Sequence, residues 1–340
     1  MNRLVLIDGN AILHRAYHAI PPLTSPDGRI VNAVYGFTSM LFRLIHDLNP
    51  THVAVAFDRP APTFRKKLFA DYQIKRPKMD DALVGQISIV HELLTILRIP
   101  IFELDGFEAD DVIGTIASSV IPANGSESRI EKGNIDSRFC GNDKGIDQII
   151  IVTGDRDILQ LVEDEKVFVY MPVKGLSEGK LYGEKETAER LGVMPDRIPD
   201  FKALAGDASD NYPGIVGIGP KTAVDILTKA GSVKALYEEI DTNHFDLSSG
   251  LVKKIIEGKE SALLSYDLAT IRRDVPIQIS IPILSQEQFQ ASEVLQFLQT
   301  LGFQSLVKRL QGVTGLQEKE PSKKESKKKQ EKSTEQLALV

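Results

Sequence analysis

Leu4-Val-Leu-Ile-Asp-Gly-Asn10 is the stretch that decides the fold. Four apolar residues run without alternation into an aspartate and a Gly-Asn turn signal, and a helix-like segment follows. A strand that is apolar at consecutive positions buries both faces, as strands of a parallel sheet do. The pattern recurs twice: His52-Val-Ala-Val-Ala-Phe57 ends at Asp58, and Gln148-Ile-Ile-Ile-Val-Thr153 ends at Gly154-Asp155-Arg156-Asp157. Such runs alternating with helical segments predict an α/β domain with a parallel sheet.

Ligands of open α/β sheets bind beyond the carboxyl ends of the strands, where Asp8, Asp58 and Asp155 fall. A second acidic feature lies between these runs. Asp105-Gly-Phe-Glu-Ala-Asp-Asp-Val-Ile-Gly114 packs four carboxylates into seven positions at the start of an apolar helix. One or two acids cap a helix and favour its dipole, whereas Glu108, Asp110 and Asp111 together repel one another unless a cation lies among them. Mg²⁺ prefers carboxylate oxygen and water, and two such ions about 4 Å apart clamp an in-line phosphoryl displacement. No His or Cys accompanies the acids, which disfavours zinc and iron. A haloacid-dehalogenase-type site is excluded because Leu6 stands where a second aspartate is needed. A P-loop is excluded because Pro220 separates Gly219 from Lys221.

The 340 residues are 42% hydrophobic and 26% charged, an ordinary globular composition with room for two domains. No apolar run is long enough to span a membrane, and the N-terminal strand meets a charge too early for a signal peptide. A single cysteine, Cys140, fits a reducing cytoplasm. The net charge of −6 speaks against a uniformly basic nucleic-acid coat but leaves local patches open. One patch is residues 59–78, with seven basic residues against one acid and with Phe64, Phe69 and Tyr72 interleaved, a pattern suited to single-stranded nucleic acid. Residues 121–147 are rich in Gly, Asn, Ser and Asp and read as a flexible surface insertion. From about 317 the composition collapses to a solvated tail of Lys, Glu, Ser and Gln. After Val167-Phe-Val-Tyr170 the chain turns mostly helical, so a second domain is expected from near residue 180. There, Gly206-Asp-Ala-Ser-Asp-Asn-Tyr-Pro-Gly-Ile-Val-Gly-Ile-Gly-Pro-Lys-Thr-Ala223 predicts a glycine turn between two helices. Its amides and following helix N-terminus suit a DNA phosphate. Asp207 and Asp210 either cap a helix or reach the acidic cluster.

The motifs fall in a familiar order: Asp8-Gly-Asn, Arg15-Ala-Tyr-His18, Ala56-Phe-Asp58, Gly106-Phe-Glu-Ala-Asp-Asp111, Thr153-Gly-Asp-Arg-Asp157 and Gly206-Asp-x-x-Asp-Asn211. In this the chain resembles the 5′-nuclease (flap endonuclease) superfamily, above all the N-terminal 5′–3′ exonuclease domain of bacterial DNA polymerase I. The likeness runs from residue 1 to about 310, apart from the insertion. It implies a PIN-like, Rossmann-like parallel sheet flanked by helices with a helical arch at about 59–90, over residues 1–180. A mainly helical helix-hairpin-helix DNA-binding domain (181–312) and a disordered tail (313–340) follow. It further implies two Mg²⁺ or Mn²⁺ ions held by Asp8, Asp58, Glu108, Asp110, Asp111, Asp155, Asp157, Asp207 and Asp210, with K⁺ at the hairpin. Arg65, Lys66, Tyr72 and Arg76 become the catalytic side chains of the arch. Arg15, Tyr17, Lys67, Lys75, Gly214, Gly217, Gly219, Lys221 and Thr222 become the DNA contacts. A metal-activated water would cut DNA, or primer RNA, at 5′ ends, flaps and nicks in replication and repair. The protein would be a cytoplasmic, nucleoid-associated monomer and a partner of a DNA polymerase; with no polymerase motif in the chain, a stand-alone nuclease is expected.

Two departures stand out. The arch pattern Tyr-Lys-x-x-Arg reads Tyr72-Gln73-Ile74-Lys75-Arg76 here, so Gln73 replaces the expected lysine. On a helix Lys75 would be turned about 200° from that position and Lys66 would lie about 10 Å away along the axis. A slower chemical step is the expectation, with a DNA-junction binding module of little catalysis as the alternative. The 121–147 insertion, part of which resembles a translated repetitive DNA element, is expected to be passive.

Overall fold

The structure, a computed structural model, describes residues 1–121, 145–174, 178–241, 247–285 and 290–314. The expected passive insertion and lysine-rich tail fall mostly on 122–144 and 315–340, outside the described residues. The chain divides into two compact units, Met1–Phe289 and Gln290–Val340, so the boundary expected near 180 lies inside the first unit.

The first unit is built on a six-stranded sheet: β1 (Arg3–Asp8), β2 (His52–Ala56), β3 (Ile101–Phe102), β4 (Gln148–Val152), β5 (Val167–Lys174) and β6 (Glu178–Tyr182), in the order β3-β2-β1-β4-β5-β6. The first five are mutually parallel, and β6 closes the edge antiparallel to β5, which makes the sheet mixed where a parallel one was expected. The Glu-Gly-Lys-Leu-Tyr sequence of β6 is mostly exposed and lacks the apolar run that marks the buried strands. Register pairs Ile7 of β1 with Val55 of β2 and with Val152 of β4, which brings the three strand ends level.

Helices α1 (Gly9–Ala19), α2 (Asn32–Leu48), α3 (Phe64–Leu68), α4 (Asp81–Ile96) and α5 (Ala109–Val120) connect the first strands. Leu4, Leu6, Ala54, Ala56, Ile149 and Ile151 pack in one core with Val112, Ile113 and Ile116 of α5. The alternate positions Val5, Ile7, Val53 and Val55 are buried as well. α1 packs on β1 and β2 and against α2 and α4. Both faces of β1, β2 and β4 are therefore dry, the cause of their unbroken apolar runs. Between Phe64 and Ile96 the expected helical arch is helical at both ends only, because residues 69–76 form successive turns. Gln73 there takes a left-handed φ of 53°, so the helical-wheel comparison with Lys75 and Lys66 does not apply.

Helices α6 (Glu184–Leu191), α7 (Ile198–Ala205), α8 (Pro220–Ala230), α9 (Val233–Asp241), α10 (Ser249–Glu257), α11 (Lys259–Ala269) and α12 (Ile281–Leu284) complete this unit. α7 packs on α8 and α11, and the glycine-rich loop 206–219 joins α7 to α8. The second unit holds α13 (Ala291–Thr300) and α14 (Gln304–Thr314), packed on each other. Among the described residues no helix is long and apolar enough to cross a membrane.

Candidate active site

The sheet order reverses between β1 and β4, because the chain leaves β1 toward β2 and later returns to β4 on the other side. That is the topological switch point, where the connections diverge and open a crevice. Asp8 stands at its edge as N-cap of α1, accepting from Ala11 N at 2.9 Å and from Thr153 Oγ1 at 2.7 Å. Asp58, two residues beyond β2, accepts from Ala109 N at the start of α5 at 2.7 Å, and its own amide donates to Asn10 Oδ1. A cleft here is lined by Asp8, Asp58, Glu108, Asp110, Asp155, Asp157 and Asp210, together with Asn10, His14, Tyr72, Gln73 and Arg76. Asp207 joins through its neighbours: one oxygen each of Asp157, Asp207 and Asp210 lies within 4.8 Å of the other two.

The acids strain against one another. Burial, then the charge of Asp58, pushes the Asp8 carboxyl up to about 7. Burial likewise takes Glu108 to about 7 against the opposing Arg65, and raises Asp110 well above the usual range, with Asp155, Asp8, Asp58 and Glu108 adding to it. Asp58 and Asp210 are also raised, chiefly by burial. A site that holds so many carboxylates against their own repulsion is built to receive cations. All eight donors are carboxylates, the set that suits a hard divalent ion. The Tyr212 hydroxyl adds a buried polar atom with no hydrogen-bond partner among the described residues, and Lys202, Asp157, Asp207 and Asp210 are the charges it feels. The site fits divalent metal.

Asp111, expected among the ligands, is not in the cleft. It is fully buried, its two oxygens forked by Arg65 Nη1 and Nη2 at 2.7 and 2.9 Å, with Arg272 N and Glu108 N completing the set at 2.8 and 3.1 Å. Successive helix positions differ by about 100°, so Asp110 faces the crevice while Asp111 turns inward. Arg65 is correspondingly a positioning residue. Its remaining donors reach Leu268 O and Thr270 O, and only Nη1 approaches the cleft, 3.5 Å from Glu108 Oε2. Lys66, also expected to be catalytic, ties its Nζ to Tyr72 O at 2.9 Å and so holds the turn. Tyr72 and Arg76 do line the cleft. The Tyr72 hydroxyl is shared between Glu108 Oε2 and Asp210 Oδ2 at 3.2 and 3.3 Å, and Arg76 is exposed at the mouth. Gln73 donates its amide to Asp210 Oδ1 at 3.0 Å and its backbone N–H to Asp210 O at 2.8 Å.

Among the expected DNA contacts, Gly217, Gly219 and Lys221 are exposed on the loop and at the start of α8, with Thr222 half-buried beside them. Gly214 is instead buried. Its N–H donates to Ser265 Oγ, its carbonyl accepts from Ser261 Oγ, and a Cβ there would meet Gly206 N at 2.2 Å. Gly214 therefore lets two backbone segments touch and presents nothing to a ligand. Lys67 and Lys75 are exposed, Arg15 is half-buried on α1, and the Tyr17 hydroxyl bonds Asp80 Oδ2 at 2.9 Å.

Three residues of the site escaped the sequence reading. His14 sits one and a half turns into α1, and burial, then Arg76 and His18, lowers its pKa. Thr153 orients Asp8, and Lys202 on the last turn of α7 bonds both Asp157 and Asp207. A basic residue near a helix C-terminus is common enough that Lys202 carried no signal of its own.

A switch-point crevice lined by carboxylates from strand ends and a helix start defines a PIN-like nuclease domain, here followed by a mainly helical region. The chain belongs to the 5′–3′ exonuclease family. The model of its N-terminal resolvase-like domain matches residues 3–192, and that of its C-terminal SAM fold matches residues 193–292. A 5′–3′ exonuclease of Aquifex aeolicus is 36% identical over 310 residues, covering 91% of this chain and 96% of that one. DNA polymerase I of Bacillus subtilis is 37% identical over 309 residues, again 91% of this chain but 32% of the relative, so the chain spans about a third of such polymerases. Among solved structures, T5 5′-exonuclease with bound divalent zinc ions superposes with a TM-score of 0.60 at 17% identity, covering 91% of this chain and 97% of that one. The catalytic core of Rad2 in complex with DNA substrate gives 0.54 at 15%, covering 91% and 92%. These two likenesses show the fold.

Proposed function

We propose that the chain is a metal-dependent, structure-specific 5′ nuclease that hydrolyses DNA, and primer RNA, at 5′ ends, flaps and single-strand/duplex junctions in replication and repair. The observation that carries this reading is the convergence of eight carboxylates from five stretches of chain on one switch-point cleft. Asp8, Asp58, Glu108, Asp110 and Asp155 would hold one Mg²⁺ or Mn²⁺ ion, and Asp157, Asp207 and Asp210 the other. Such ions, when bound, supply neutralisation of the acids and activation of the attacking and leaving oxygens.

The chain's own residues bind and orient the strand. Arg76 stands exposed at the cleft mouth, where a phosphate approaching the acids needs a countercharge. Gly217, Gly219 and Lys221 offer backbone amides and an ammonium at the start of α8. Contacts of that kind grip phosphate and read no base, which gives preference for a junction over a sequence. The reading places a monomer with the bacterial nucleoid in the cytoplasm and a DNA polymerase among its partners, because longer relatives of this chain are polymerases.

Gln73 favours one second reading. An amide bonded to Asp210 supplies hydrogen bonds where an ammonium would supply charge, which suits a junction-binding module with weak cleavage. Cleavage of a 5′-labelled flap duplex with and without Mg²⁺, beside an Asp155→Asn control, separates the two. Metal-dependent products that vanish in the control support the nuclease; tight flap binding with no cut supports the binder.

A further inference from the structure

Lys202 is the one lysine bonded to the metal-binding acids among the described residues. Its Nζ reaches Asp157 Oδ1 and, at 2.5 Å, Asp207 Oδ2, two of the three carboxylates that share an oxygen cluster 4.8 Å across. A divalent ion drawing on these carboxylates would meet the ammonium already bonded to two of them. The other side is different: Asp8, Asp58, Asp110 and Asp155 have no Lys or Arg within 4.0 Å among the described residues, with backbone N–H groups and Thr153 as donors, and only Glu108 meets a cation, Arg65 Nη1 at 3.5 Å, whose guanidinium is committed to Asp111. The two halves of the acid set thus begin from unequal charge states. A second observation marks the Lys202 side as a place where something is accepted. Tyr212 is 3% exposed, its hydroxyl lacks a partner among the described residues, and it lies in the field of Lys202 and all three acids.

We propose that Lys202 is an internal counter-cation that competes with the divalent ion for Asp157 and Asp207, so that the two ions bind with unequal affinity and the metal-free protein stays folded. The inference rests on reading the acids as a two-ion site. An incoming ion must displace the ammonium from both oxygens before it can coordinate them. A doubly charged ion gains more from three carboxylates than an ammonium does, whereas a monovalent ion gains no more. The side chain therefore sets a threshold that divalent ions pass and Na⁺ or K⁺ do not. The buried, unpartnered Tyr212 hydroxyl, which lies in the field of Lys202, offers the released ammonium an acceptor, so the lysine need not be expelled into solvent. Lys202 acts through the acids and touches no substrate, which makes it a positioning and selectivity residue.

The test is Mn²⁺ titration of the DNA-free protein, with free ion read from its paramagnetic resonance signal, beside melting in chelator. The wild-type protein is expected to bind one ion tightly and one weakly. In Lys202→Met the weak site should tighten by about tenfold or more, since one unit charge beside the ion is removed. The same variant should melt lower in chelator and gain more from Mn²⁺ than the wild type. Tyr212→Phe should weaken the weak site by removing the lysine's alternative partner. If Lys202→Met is too unstable without metal, Lys202→Gln, which keeps a donor and loses the charge, should show the same tightening. An unchanged or weaker second site in these variants overturns the role of Lys202, because a merely structural lysine can only lose affinity when replaced. Absence of any bound Mn²⁺ in the wild type and variants alike overturns the two-ion reading itself.

Discussion

Arg65 and Asp111 form a fully buried fork, guanidinium to carboxylate at 2.7 and 2.9 Å, that fastens the short helix α3 to the first turn of α5. The pair also anchors the 268–272 segment through Leu268 O, Thr270 O and Arg272 N. Glu108 and Asp110 lie just ahead of Asp111 on the same first turn, so the fork sets the angle at which both enter the cleft. Removing one partner strands the other charge in a dry interior. Asp111→Ala should cost about 3–5 kcal/mol in urea unfolding, and Arg65→Lys, which keeps charge but loses the fork, should cost less. A loss below about 1 kcal/mol for Asp111→Ala would mean that the pair is not held as described.

Gln73 and Asp210 are joined twice, through side chain and through backbone, across 137 residues of chain. Gln73→Lys replaces the amide by an ammonium beside Asp210 without disturbing the backbone bond. Single-turnover cleavage should rise by roughly tenfold or more, since a charge near the scissile phosphate stabilises the transition state better than a dipole. No gain in rate would show that the turn, and not the missing charge, governs the step.

Asp8, Glu108 and Asp157 all titrate near 7 in the folded chain, raised first by burial and then by neighbouring acids, although Lys202 opposes the shift at Asp157. Unfolded, the same groups titrate near 4. Between those values the folded state holds protons that the unfolded state has lost, so metal-free stability falls as pH rises from about 4 to 7 and levels off above. The slope is about 1.4 kcal/mol per pH unit for a single such group, and coupling keeps the three from adding in full. Melting in chelator should therefore be higher at pH 5 than at pH 8, and saturating Mg²⁺ should erase the difference. A melting temperature in chelator that climbs with pH would contradict the charge state assigned to the cleft.

Gly214 touches Gly206 backbone to backbone, with φ values of 61° and 72°. Gly214→Ala adds a Cβ 2.2 Å from Gly206 N in a left-handed conformation, and should destabilise by about 2–4 kcal/mol and abolish duplex binding before it affects metal binding. Gly217→Ala meets only the flexible end of Lys254 and should be milder. Equal effects in calorimetric melting would show that the loop is not held by that close approach.

The buried strands were legible because β1, β2 and β4 are dry on both faces, and their terminal acids followed from the chain reversing direction there. β3 and β6 were not: one has two residues, and the other is a polar edge whose pairing is decided by β5. The acids could be counted but not sorted, since Asp110 and Asp111 are chemically alike and differ only in which side of α5 they occupy. The 69–76 turn hid behind a composition that reads as helical, and its left-handed residue is a glutamine, with no glycine to announce it.

The acids that meet in the cleft are separated by as many as 202 residues along the chain, from Asp8 to Asp210. The ribosome therefore delivers most of this charge long before the site can close, and the first two strands emerge with carboxylates that have nothing to oppose them. Lys202 arrives five residues ahead of Asp207, so the last acids and their internal counter-charge leave the ribosome together. A nascent chain stalled before residue 198 carries the acids of the sheet without α7, and so lacks Lys202, Asp207 and Asp210, the lysine and the two acids that cluster with Asp157.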